Sequence, residues 1–172
     1  MLFRPTHYRY KGNLWDKLFR RDLIMREGLR FEEGIAYNED RLFVFLYLLH
    51  ATAVAATTLP YYHYVIREGS AMAASAFHPR MYTFMDAFDR MTKALTAGSE
   101  ADASSVLRML SEDYVTSALK FFRAHAEEVG VAEFRRRMQR IHRMNYPSLS
   151  LVSRTVFFLR ECRTYQALLN SH

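Results

Sequence analysis

Two stretches of this chain, Met81 to Ala97 and Ala101 to Val129, contain neither glycine nor proline and carry apolar residues at helical spacing. A backbone with no residue suited to a turn, and with one greasy stripe to bury, has few options besides packed α-helices. Gly98, Gly130 and Pro147 punctuate the pattern. Helices are therefore expected over Pro79 to Ala97, Ala101 to Glu128, Val131 to Met144 and Ser148 to Asn170. At 172 residues with 50% hydrophobic content, the chain can bury a real core.

The first third reads differently. Leu14 to Phe19 fits a short strand or the start of a helix, and Arg20 to Arg26 a helix that Gly28 stops. Asn38 is a favourable N-cap residue, and Glu39 and Asp40 fall in the first turn, where the helix dipole favours anions. Leu42, Phe43, Phe45, Leu46 and Leu49 then give that helix a broad apolar surface. Ala53 to Thr58 and Tyr61 to Ile66, on either side of Leu59-Pro60, are rich in β-branched and aromatic residues and read as two strands. A division near Gly69-Ser70 follows, giving parts 1–70 and 71–172 that pack together.

Several function classes can be set aside. A single cysteine, Cys162, allows no intrachain disulfide and no multi-thiolate zinc site, and points to a reducing compartment. The amino-terminal residues are basic and polar where a secretory peptide needs an apolar run, so a cytoplasmic location is expected. Leu42 to Leu59 has no charged residue and nearly the length of a membrane span, but His50 and the threonines interrupt it, which favours a buried helix followed by a buried strand. The formal charge of +6 suggests an anionic partner.

Three short motifs follow in order: Trp15-Asp16-Lys17-Leu18, Asn38-Glu39-Asp40, and Tyr61-Tyr62-His63-Tyr64 with Arg67-Glu68-Gly69-Ser70. Each alone is common, but their succession over residues 12–72 resembles the acceptor-side portion of bacterial family 2 glycosyltransferases of the GT-A type. The resemblance implies a fold that is mainly α with a small β component, a partial GT-A α/β segment followed by a helical, bundle-like region. It implies that the acidic pair, by residue matching Asp40 with Glu39 in support, supplies the base for an incoming sugar hydroxyl. An alcohol is a poor nucleophile, so removing its proton as the new bond forms lowers the barrier. Trp15 and Lys17 match positions beside the acceptor, and Arg67 and Ser70 match substrate-binding positions, with the arginine near the leaving diphosphate. Asp16 departs from the asparagine often found there. The bland alternatives are a capping role for Asn38, Glu39 and Asp40, a core anchor for Trp15, and solvated cations for Lys17 and Arg67.

Relatives carry, ahead of the tryptophan motif, a nucleotide-binding half with an Asp-x-Asp metal motif. Only a dozen or so residues precede Trp15 here, and no such motif occurs. The expectation is an inverting enzyme's acceptor side, inactive alone, with no cofactor of its own and Mg or Mn needed only when a nucleotide-binding half is present. The implied partners are a sugar nucleotide and a glycan or lipid-linked acceptor. The helix of residues 40–49 and the strands after it should expose apolar surface, which suggests a homo-oligomer. A different class of function, a non-enzymatic basic helical module, is suggested by Arg135, Arg136, Arg137, Arg140 and Arg143 with His142. These would hold a protein partner or an anionic membrane surface. Nucleic acid is not expected, since no nucleic-acid motif accompanies the cluster.

Overall fold

The computed structural model describes residues 12–57, 59–63, 65, 76–97 and 103–171. Its helices are α1 (Arg21–Arg26), α2 (Glu39–His50), α3 (Thr83–Ala97), α4 (Ala103–Ala124), α5 (Val131–Asn145) and α6 (Leu151–Asn170). Short 3-10 turns at Pro79–Tyr82 and Tyr146–Ser148 precede α3 and α6. The chain divides into two compact units, Met1–Met91 and Thr92–His172. The change in sequence character at residues 69–70 lies outside the described residues.

No strand occurs among the described residues, which corrects the expectation of a small β component and of a partial GT-A α/β segment. Residues 53–57 and 59–63 are irregular and exposed, while positions 58, 64 and 66 lie outside the described set. Their composition favours extended backbone, but a strand exists only when a neighbour completes its hydrogen-bond ladder. No strand pairs with them among the described residues. Leu14 to Phe19, left open between strand and helix, is a turn followed by irregular backbone, closed by Lys17 N–H donating to Leu14 O at 3.1 Å.

The first unit is organised by α2. Leu42, Phe43, Val44, Phe45, Tyr47 and Leu48 are all buried, so this helix is covered on nearly every side. The apolar surface expected to be exposed on it is therefore covered, whereas the stretch after it does expose apolar residues, at Val54, Leu59 and Tyr61. Aromatic rings do much of the covering. Phe31 stacks on Phe43 at 4.8 Å, and Phe19 sets its edge against Phe43 and Tyr47. The Tyr47 hydroxyl accepts the Arg20 N–H at 2.9 Å, fixing the start of α1 to the side of α2. Helix α1 ends as its sequence indicates. Gly28 takes a φ of 61°, and the Leu29 N–H reaches back to Ile24 O at 3.0 Å, closing the helix with a glycine in the left-handed region.

The second unit is a helical assembly in which α4 lies against both α5 and α6. The buried residues of α4, including Leu110, Tyr114, Ala118 and Phe122, recur every three to four positions, as do Phe134, Met138, Ile141 and Asn145 of α5. Phe122 meets Phe134 edge to face at 5.0 Å. Ser150 caps α6 by accepting the Ser153 N–H at 3.1 Å. A polar knot sits within this core. The fully buried Asn145 directs its amide to Thr92 Oγ1 (3.4 Å) and Ser111 Oγ (3.3 Å), and Ser148 Oγ donates to Asn145 O at 2.6 Å. Glu161 on α6 joins α5 and the turn after it, lying 2.8 Å from His142 Nε2 and accepting from the Tyr146 hydroxyl at 3.4 Å. Burial first, then the Glu161 charge and its hydrogen bond, holds the Tyr146 phenol well above the usual tyrosine range.

Candidate functional site

The acidic pair occupies the amino-terminal turn of α2, as its sequence indicates, but the entry to the helix is built differently. Asn38 adopts the left-handed conformation (φ 64°) and makes no side-chain cap. Asparagine tolerates that backbone better than most residues, so it serves here as a bend rather than as an N-cap acceptor. Asp40 itself accepts a backbone N–H, that of Arg41 at 2.6 Å. Glu39 and Asp40 are both half-buried. Successive positions on a helix diverge by about 100°, so the two carboxylates face different directions and only one can serve a given reacting atom.

The loop that delivers this turn is clamped from a distance. Thr83, the first residue of α3, accepts the N–H groups of both Ala36 and Tyr37 at 3.1 Å and donates its own proton to Arg80 O at 2.7 Å. Its hydroxyl thus uses all of its capacity on backbone. Glu32, earlier in the same loop, pairs with Arg90 at 2.8 Å. Thr83→Val keeps the shape and removes the clamp. It is expected to cost about 1 kcal/mol, because water can reach these half-exposed groups. It should also speed hydrogen exchange at the Ala36 and Tyr37 amides, with Thr83→Ser restoring both. Exchange rates unchanged in the valine variant would show that the clamp does not hold the loop.

The strip ahead of the first motif lies against α2, and the first motif touches the third. Gly12 lies so close to α2 that a Cβ added there would fall 2.5 Å from Arg41 Cβ and 2.7 Å from Arg41 Cα, so a side chain at residue 12 would push the strip away. That strip leads directly into Trp15, whose ring stacks on Tyr62 with centroids 4.8 Å apart. Both rings keep close to half of their surface in solvent. Lys17 is mostly covered, with its ammonium donating to Asn13 O at 2.6 Å and paired with Asp16. The aspartate at position 16 thereby has a role: it neutralises Lys17, which tightens the turn that presents Trp15. Arg41 sets its guanidinium over the Phe88 ring at 4.7 Å.

Arg67, Ser70 and Tyr64 lie outside the described residues. Tyr61 and Tyr62, expected in a strand, lie in irregular backbone and are both exposed, with Tyr62 stacked on Trp15. Gly12, Arg41 and Thr83 went unnoticed as site residues. The partners of Gly12 and Thr83 are remote in sequence and leave no local pattern, as are Arg41 and the ring beneath it. Among the described residues no group of three or more His, Cys, Asp or Glu side chains is placed to hold a metal ion. Among the described residues, too, no helix is long and apolar enough to cross a membrane. Compared with protein-family models, with curated proteins and with solved structures, the chain matches none.

Proposed function

We propose that this chain is the acceptor-side portion of an inverting glycosyltransferase of the family 2 type, with Asp40 as the general base. In this reading Asp40 takes the proton of an acceptor hydroxyl as its oxygen attacks the anomeric carbon of a nucleotide-activated sugar. The bond from that carbon to the nucleotide diphosphate breaks, and the diphosphate leaves with its electron pair. The donor would be held by a nucleotide-binding half that these residues do not supply, and no step is assigned here to a metal ion.

The observation that carries the reading is the stacking of the first motif's tryptophan on the third motif's tyrosine, with the strip ahead of that tryptophan resting on the helix that begins with the acidic pair. Gly12 rests on Arg41, and Trp15 stacks on Tyr62. A half-exposed aromatic pair offers the flat apolar surface on which the C–H face of a sugar ring can lie. A carboxylate on the first turn of a fixed helix offers the proton acceptor, and Thr83 limits the freedom of the loop that carries it. Glu39 is a supporting group, and Lys17 acts by shaping the Trp15 turn. The acceptor class is a glycan or a lipid-linked sugar.

Trp15 is the one tryptophan in the sequence, so its emission reports on the proposed site without any label. Titration of the purified chain with a panel of oligosaccharides and lipid-linked sugars is expected to give a saturable change in tryptophan fluorescence for some of them. A free sugar nucleotide should give none. A panel that leaves the emission unchanged throughout would remove the acceptor role from Trp15.

A further inference from the structure

Helix α6 is apolar on two opposite sides, and only one of them is covered. Phe157, Glu161, Thr164 and Leu168 recur at i, i+4, i+7 and i+11 and form its packed side. On the far side Leu151 is 80% exposed, Val152 74%, Phe158 61% and Leu159 56%. With Leu169 and the exposed Cys162 they make a largely apolar face along the 20-residue helix, interrupted by the exposed Thr155 and Gln166. Soluble surfaces carry such residues singly, whereas a contiguous ridge marks something that covers it.

Charge says what kind of surface that is. Arg160 and Arg163 fall on one margin of the ridge and Arg154 on the other, all three exposed, with the Arg154 guanidinium held by donating to Leu149 O at 3.2 Å and Pro147 O at 2.9 Å. The one acidic residue of α6, Glu161, is turned inward and engaged by His142 and Tyr146. A second copy docked ridge to ridge would bring these arginine margins together with no carboxylate of α6 between them, which costs energy at an otherwise apolar seam. A membrane-spanning role is also out of reach for a helix with four ionisable side chains of this kind. An apolar ridge bordered on both sides by arginines matches the boundary layer of an anionic bilayer, with the ridge among the upper acyl chains and the guanidinium groups at the phosphates.

We infer that α6 is an interfacial anchor that docks this protein on an anionic phospholipid surface through Leu151, Val152, Phe158 and Leu159, with Arg160 and Arg163 as its phosphate contacts. The site lies within the second unit and does not depend on the role of Asp40. It also differs from the basic cluster that the sequence puts forward on α5. There Arg135 bonds to Tyr165, and Arg136 and Arg137 both pair with Glu133, so these three guanidinium groups are held within the unit.

Flotation of the purified chain with vesicles tests this. Vesicles of phosphatidylcholine containing phosphatidylglycerol are expected to bind it at least about tenfold more tightly than phosphatidylcholine alone, and the difference should shrink as salt is raised. Phe158→Ser with Leu159→Ser, both on the solvent side and checked for an unchanged helical spectrum, should weaken binding about tenfold or more. Arg160→Gln with Arg163→Gln should remove most of the preference for the anionic vesicles and leave the weak neutral component. Equal partition into neutral and anionic vesicles would overturn the inference, as would absence of binding to both. So would wild-type binding by the Phe158 and Leu159 variant. A dimer in light scattering that the same variant dissolves, without vesicle binding by the parent, would assign the ridge to a second copy.

Discussion

Asp40→Asn, in an enzyme completed with a nucleotide-binding half from a family 2 glycosyltransferase, is expected to lower turnover about a hundredfold or more while donor affinity barely changes. The substitution keeps the size of the side chain and the oxygen that accepts the Arg41 N–H, so the first turn of α2 should survive it. What is lost is the ability to take a proton. Glu39→Gln should cost less, because the two side chains project in different directions from one helix and cannot share a reacting atom. If the pair only stabilises the helix terminus, either variant would instead lose a few tenths to about 1 kcal/mol of stability with turnover of the folded fraction unchanged. Single-turnover rates and thermal unfolding measured on both variants separate these cases. A larger loss in the Glu39 variant would transfer the base to Glu39.

The largest expected effect on stability belongs to Phe122, which is fully buried and holds Phe134 edge to face across α4 and α5. Phe122→Ala removes the ring and leaves a cavity that surrounding helices can fill only in part, a loss of about 3–5 kcal/mol. In a unit of this size that lowers the unfolding midpoint by roughly 12 °C or more. Its neighbour Phe121, packed on His125 but only half-buried, should cost well under that when truncated in the same way. Calorimetry on the two variants reads the contrast directly. Equal small losses would mean that the α4–α5 contact is not the core of the second unit.

The helices were legible because period and punctuation agree. Apolar spacing in α4 and α5 names the faces that are buried, Gly28 ends α1, and Pro79 and Pro147 begin the 3-10 turns that lead into α3 and α6. The strands were misread for a definable reason. β-branched and aromatic residues report a local preference for extended backbone, whereas a sheet is a property of partners that composition does not name. Asn38 shows the same limit at one residue, since a good N-cap residue type is also a good residue for a left-handed bend. Around the acidic turn the sequence names the motif residues but not what holds them, since Gly12, Arg41 and Thr83 act through contacts that only folding creates. The α6 ridge was hidden by its own symmetry, because a helix with apolar residues on both sides has no single stripe for a periodic pattern to reveal.

The Thr83 clamp also bears on the order in which the chain can assemble. It ties residue 83 to residue 36 across 47 positions, and the other contacts of the site join residue 12 to 41 and residue 15 to 62. In the second unit α5 and α6 follow each other through a short turn and pair as neighbours in sequence. Closing the longer loop costs about 1 kcal/mol more entropy than closing one of roughly a dozen residues, and that cost is met before any site contact is made. During folding the helical second unit can therefore gain its order from nearby chain. The turn that carries Asp40 waits for distant segments to arrive, and the chemistry proposed for it becomes available only at the end of that search.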